Sequence, residues 1–406
     1  MIQFLRYFLL CTPFTFFAQG YQVALQGQAQ QGMASAGTAF LHDASYVFYN
    51  PGAGAFYDKS EVNLGGTPVF SRILFEDQNT HTTNRSNSPM GTPFSVYGVY
   101  QQKETSKLKF GMGIYTPFGS TVSYEDGWIG RFALTRLELK AIFFQPTLSY
   151  KVNKYIGIGA GFVYAMGSVN LQKDIPVIDA NGTYGKAELN GKAKGYGYNV
   201  GVFIQATEKF RVGLNYRSQV DMDIKLGTAT FTVPSGLAAN FPSGSFTSSL
   251  PLPKVISLGL AYKLSPKLEL TSDVNFAGWK AYDTLAFDYD VNTASLLDTK
   301  SARMYKNSFV MRLGAQYKLN KSLALRAGVA CGLTPVQDGY VTPETPDANR
   351  VTFTTGFGYA INTKLILNMS LLYTHLKRED TNLETNLSGI YKTNVLAPGF
   401  SFAYTF

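Results

Sequence analysis

The chain has 406 residues, with 36 Lys and Arg against 27 Asp and Glu, a formal charge of +9; 16% of it is charged and 14% aromatic, and 39 residues are Gly. An apolar content of 45% with this many aromatics can bury a core, which excludes a disordered chain. Beyond the extreme N-terminus no window supplies the roughly 18 uncharged apolar residues of a spanning helix, and the scattered basic residues form no block of the kind that binds nucleic acid.

Met1 to Arg6 is a short basic start, Tyr7 to Phe17 an apolar stretch, and Ala18-Gln19-Gly20 a small-x-small site. Residues 1–20 therefore read as a secretory signal peptide, with cleavage after Ala18 or Gly20. Cys11 falls inside it and leaves Cys331 alone in the mature chain, so no internal disulfide or cysteine metal site is expected.

Residues 21–60 do not alternate cleanly. Gln31 to Phe40 and Asp43 to Gly52 are rich in small residues, and suit short helical turns in a confined polar space better than a strand. Pro51 locks its own φ and restricts Asn50 to extended backbone, as a forced turn requires.

From about residue 61 the chain repeats one theme. Leu108, Phe110, Met112 and Ile114 alternate with Lys109, Gly111 and Gly113, and Leu258, Leu260 and Tyr262 with Gly259, Ala261 and Lys263. Period two means strand, with one apolar face and one small or polar face. Tight turns are expected around Glu104, Asn153, Glu208, Ser265, Asn320 and Asn362, with long polar connections between them near 73–91, 119–137, 174–191, 234–251, 280–305, 334–350 and 378–393. That rhythm is the pattern of an all-β transmembrane antiparallel barrel, here with 14 strands over residues 61–406. A soluble propeller would show blade repeats of roughly 40–50 residues, and none is present. At the C-terminus Phe400, Phe402, Tyr404 and Phe406 alternate with Ser401, Ala403 and Thr405. Such a last strand looks like the signal that outer-membrane assembly machinery reads, which places the protein among outer-membrane lipids.

The sequence offers little reaction chemistry. His42, His81 and His375 are scattered and no Ser or Asp spacing joins them, so each reads as a polar residue rather than a base or a metal ligand. Gly157-x-Gly159-x-Gly161 lies in a strand, with Gly facing inward where space is tight, and is no dinucleotide loop. Neither an enzyme nor a cofactor is expected. Phe75, in one long connection, and Phe241 and Phe246, in another, are candidates for a greasy capture surface or for loops packed on each other.

The run Gly32 to Phe40, Asp43-Ala44-Ser45 and Tyr49-Asn50-Pro51, followed by Tyr115 to Gly119, Gln145 to Tyr150, Leu250 to Pro253 and Arg312-Leu313-Gly314, resembles the OmpP1/FadL/TodX family in residue content and order. That resemblance implies a monomeric outer-membrane transporter for passive uptake of hydrophobic compounds, foremost long-chain fatty acids. It makes residues 21–60 an N-terminal hatch, with Asn50, Pro51 and Gly52 at its turn, Gly52 standing where the family has Ala. It also implies a lateral opening at Tyr115, Pro117, Phe118 and Gly119, and cationic ligand contacts at Lys306 and Lys173. A general diffusion porin, or a structural or adhesin barrel, would use the same strands. Neither explains the forty residues before them. The hydrophobic ligand itself is left open.

Overall fold

The computed structural model describes residues 20, 22, 23, 25–103 and 105–406; the signal-peptide reading, Gly20 apart, and Cys11 lie outside them. Fourteen antiparallel strands close on themselves: β1 (Glu61–Gly66), β2 (Phe94–Tyr100), β3 (Leu108–Ser123), β4 (Arg136–Lys151), β5 (Ile156–Ile178), β6 (Tyr184–Gln205) and β7 (Phe210–Arg217), then β8 (Val255–Lys263), β9 (Leu268–Ala277), β10 (Ser308–Lys318), β11 (Leu323–Gly332), β12 (Arg350–Ala360), β13 (Leu365–Thr381) and β14 (Ser388–Thr405). Each strand pairs with the next, and β1 pairs with both β2 and β14, with Val62 opposite Gly98 and Tyr404. Closure gives every strand a partner on both sides, which is what lipid demands of a sheet.

Residue type explains the tight turns. Asn153, Asn320 and Asn362 each accept two backbone N–H bonds through Oδ1, at 2.8–2.9 Å, from residues two and three further on. Thr207 and Ser265 do the same through Oγ. These side chains stand in for a turn's backbone acceptor. Along the strands, Phe110, Met112, Leu148, Leu258, Leu260, Phe400 and Phe402 are exposed, whereas Lys109, Gln145, Thr147, Asn215 and Ser401 are buried. The apolar face is the outer one and the small or polar face lines the lumen.

The other end differs from the sequence reading. Much of what reads as long polar loop is strand that carries the sheet past the closed barrel. Phe70–Asp77 pairs with β14, Gly244–Leu252 with Val220–Thr232, and Thr284–Tyr289 with Thr299–Ala302; Val220–Thr232, which lies outside those stretches, pairs in turn with the far half of β6. The 174–191 stretch is a hairpin whose turn Asp179 closes by accepting from Asn181 and Thr183 N–H. Extended pairing satisfies backbone groups that polar side chains alone would leave to water. The connection at 334–349 behaves as a true loop, and it folds inward: residues 341–348 are all buried. Asp380 accepts from Gly339 and Val341 N–H, Asn382 donates to Val341 O and Tyr124 to Pro343 O, and these bonds hold the loop down.

Candidate functional site

The lumen at the tight-turn end is filled by residues 25–57, which combine a single helical turn (Gln28–Gln31), a second (Tyr46–Tyr49) and a 3-10 helix (Pro51–Phe56). Elements this short have no stability of their own. Inward-facing strand residues hold them. Asp273 of β9 takes Gly37 N–H, Thr38 N–H and Thr38 Oγ1–H on one carboxylate oxygen, at 3.0, 3.0 and 2.7 Å. Arg312 of β10 donates to Ala34 O at 2.7 Å, Gln145 of β4 to Val47 O at 2.6 Å and Arg217 of β7 to Phe48 O at 2.6 Å. His42 stacks on Phe40 and sits 3.0 Å from the Arg326 guanidinium. Burial and that guanidinium hold its imidazole well below the ordinary histidine range.

Asn50, Pro51 and Gly52 come together as one turn. Asn50 Oδ1 accepts from Gly52 N–H, while its amide donates to Thr38 O and Val202 O, each at 3.0 Å. Gly at 52 answers a need for space. A Cβ there would stand 2.7 Å from Gly201 O and 2.9 Å from Gly157 O, and one on Gly159 would stand 2.4 Å from Pro51 O. The glycines of β5 and β6 let this turn lie directly on the wall.

Beyond this floor is a cavity of about 490 Å³, within the usual range for ligand pockets. Leu25, Phe118, Val122, Ala141, Val310 and Ala330 contribute apolar wall. The inward loop supplies Glu344 and Asp347, and the strands supply Arg312 and Arg350. Charges here are largely matched: Arg303 meets Glu344 at 3.0 Å and Arg350 meets Asp347 at 3.8 Å. Burial pushes the Asp347 carboxyl up. A smaller apolar pocket of about 70 Å³ continues past Phe118 toward the far end, walled by Leu137, Leu171, Met222, Ile224 and Phe287.

Beside the cavity β3 carries a bulge. Tyr115 pairs with Phe143 but Phe118 with Ala141, so Thr116 and Pro117 together oppose the single residue Ile142. Pro117 has no N–H to give the ladder and forces the irregularity. Strand β2 stops here: Ser95 is opposite Tyr115, and Phe94 reaches only the Thr116 hydroxyl. Past Tyr115, then, β3 has no ladder partner from β2; Gln22 bridges Phe118, and Ser86 and Asn87 meet the strand again only at its Ser123–Tyr124 end. The N-terminal segment lies across the inner edge, with Val23 N–H donating to Pro117 O and the Gln26 amide to Thr116 O, both at 2.8 Å. Pro93, Phe94, Thr116, Phe118 and Gly119 all line the cavity, which therefore extends from the lumen to this gap in the ladder.

The other residues singled out from sequence are placed elsewhere. Phe75 and Phe246 are buried in strands rather than displayed on loops, Phe75 between Tyr391 and Trp128 and Phe246 against Phe287. Phe241 is half-buried against Phe231. None of the three lines the cavity. Lys173 sits on the inward parity of β5, among the charges of Arg303, Glu344 and Glu384, whereas Lys306 is exposed. His81 and His375 are exposed and far from His42 along the barrel, and among the described residues no group of His, Cys, Asp or Glu could hold a metal. Sequence reasoning gave Asp273, Arg217, Gln145 and Arg312 no role in holding this segment, although Gln145 and Arg312 open two of the stretches that carry the family resemblance. Each stands on the polar parity of its strand, and that was the available signal.

The model of the family described as outer membrane protein transport protein (OMPP1/FadL/TodX) matches residues 9–406. The chain is 26% identical to outer membrane protein P1 of Haemophilus influenzae over 404 residues, covering 88% of this chain and 86% of that one. It is 22% identical to the long-chain fatty acid transport protein of Escherichia coli K12, covering 88% and 87%. A crystal structure of a Pseudomonas aeruginosa FadL homologue superposes with a TM-score of 0.81 at 19% identity, covering 96% of this chain and 100% of that one.

Proposed function

Because this chain belongs to the OMPP1/FadL/TodX family of outer membrane transport proteins, we propose that it takes up hydrophobic compounds passively, with long-chain fatty acids the favoured class. Ligand would enter from the far end, rest in the 490 Å³ cavity, and leave sideways through the wall at the β3 bulge. The observation that carries this reading is the continuity of the cavity from Ala34 and Val310 in the lumen to Pro93 and Phe94 beside the bulge. Residues 25–57 would act as the hatch. They block the straight route to the periplasm, and a filled lumen speaks against an open diffusion porin. Fatty acid is favoured over uncharged hydrocarbon because relatives matched along most of their length bear that name, and because Arg312 and Arg350 border the apolar wall.

Deleting Thr116 tests the exit, since it removes the extra residue of the bulge. The barrel should still fold and bind ligand, but uptake of a labelled fatty acid by cells should fall by an order of magnitude. Undiminished uptake with the register restored would rule out lateral exit at this point. Mass spectrometry of lipids carried through purification identifies the ligand class. Recovery of no apolar compound, together with ion conductance of open-pore size, would reject the transporter reading.

A further inference from the structure

The six tight turns carry most of the molecule's charge excess. The stretches 100–108, 151–156, 205–210, 263–268, 318–323 and 360–365 hold ten lysines against two glutamates, Glu104 and Glu208, in a chain whose total is +9. Every turn contributes at least one, and Lys103, Lys154, Lys209, Lys267, Lys321 and Lys364 are exposed. None of the ten forms an ion pair among the described residues. Lysines in all six turns between consecutive strands make a ring around the whole mouth, not a patch on one side.

A second ring lies next to it. Tyr100, Tyr150, Tyr262, Tyr317, Tyr359 and Tyr404 stand at or next to the tight-turn ends of β2, β4, β8, β10, β12 and β14, on the lipid-facing parity and 42–55% exposed. Such a tyrosine girdle marks the level where hydrocarbon gives way to headgroups. The turns span only a few residues beyond it, so their ammonium groups reach the phosphate layer without leaving the barrel's edge.

We infer that this rim binds the phosphates of anionic phospholipids in the periplasmic leaflet, gathering a ring of them around the barrel. The ring's closure matches a lipid annulus, which surrounds the barrel evenly; a protein or cell-wall partner would approach from below or from one side. Lysine suits the task because its ammonium is a mobile point charge on a long apolar stem that can lie along lipid while the charge reaches phosphate.

The test is electron spin resonance of the barrel reconstituted in phosphatidylethanolamine with spin-labelled phosphatidylglycerol or phosphatidylethanolamine. The wild-type barrel should retain the anionic probe roughly five-fold better at low salt, the ratio that ~1 kcal/mol per lysine near a charged surface confers. Salt near 0.5 M should bring that ratio toward one, since the Debye length is then only a few Å. A variant with Lys103, Lys154, Lys209, Lys267, Lys321 and Lys364 changed to Gln, six of the nine exposed turn lysines, should lose most of the preference, while its unheated electrophoretic mobility confirms a folded barrel. Changing the far-end lysines Lys225 and Lys300 to Gln should leave the preference intact. If the six-fold variant does not fold, the salt titration of the wild-type barrel decides. Absence of a phosphatidylglycerol preference in the wild type overturns the inference, as does an undiminished preference in the six-fold variant or its persistence at high salt. Lysine-dependent sedimentation with isolated peptidoglycan, without lipid preference, would assign the rim to the cell wall and overturn it equally.

Discussion

Arg217 donates to the Tyr115 hydroxyl at 3.1 Å. The same guanidinium lies 4.0 Å from the centre of the Phe48 ring and donates to Phe48 O. Tyr115 is the last regularly paired residue of β3 before the bulge, and Phe48 belongs to the segment filling the lumen. One side chain of β7 thus ties the packed N-terminal segment to the wall where the ladder breaks. Replacing Arg217 with Ala removes charge-assisted hydrogen bonds and a cation–π contact, together worth roughly 2–4 kcal/mol. The unfolding midpoint in detergent should drop and bilayer conductance should become noisier. If both stay at wild-type values, Arg217 does not hold this junction.

Gly52→Ala adds a methyl within 3 Å of two backbone carbonyls. Backbone cannot rotate away as a side chain can, so the turn must lift off β5 and β6 at a cost of roughly 1–3 kcal/mol. Thermal melts should show the loss, and Gly159→Ala should cost at least as much. A melt unchanged in both variants would mean that the turn is loosely seated.

Deleting residues 21–60 should convert a low-conductance barrel into a leaky channel in planar bilayers, because it empties the tight-turn half of the lumen and removes the partners of Asp273, Arg312 and Gln145. Asp273→Ala should produce a milder form of the same leak. Conductance equal to that of the intact barrel would argue that these residues do not close the pore.

His42 sets a pH dependence. Its pKa in the folded protein is depressed, by burial first and by Arg326 second, with Lys59 and Lys318 adding to it. The folded state therefore favours neutral imidazole. Stability from this residue is present above the ordinary value of about 6.5 and is lost as pH falls below it. Melting midpoints should decline from pH 7.5 to 5.5 more steeply in the wild type than in His42→Gln. Parallel slopes would show that His42 does not titrate in this window.

A carboxylate headgroup should distinguish the two lysines named from sequence. Lys173 faces inward on β5 near Arg303 and Glu344, while Lys306 is exposed. Lys173→Ala should weaken fatty-acid binding roughly ten-fold, about 1.4 kcal/mol, and hardly affect an uncharged hydrocarbon of equal length. Lys306→Ala should have the smaller effect. Titrations in which both variants bind the acid as tightly as the wild type would leave the headgroup to Arg312 or Arg350.

The alternation of Leu258, Leu260 and Tyr262 with their small neighbours, the Asn and Ser of the tight turns, the aromatic face of Phe400, Phe402, Tyr404 and Phe406 and the break in pattern over residues 21–60 are local features. They made a fourteen-strand barrel with a distinct N-terminal segment legible from the sequence alone, because strand parity and turn chemistry act between residues a few positions apart. Other features come only with closure. Gly37 meets Asp273 and Ala34 meets Arg312 across more than two hundred residues, and each of those side chains reads from sequence only as one more polar lumen residue. Pro117 announced an irregularity in β3, but the early end of β2 and the segment lying across it are decided by which strands become neighbours. The inward fold of residues 341–348 and the strands at 244–252 and 284–289 follow the same logic. A polar stretch reads as loop until a neighbouring edge offers its backbone partners, and that edge exists only once the sheet has closed.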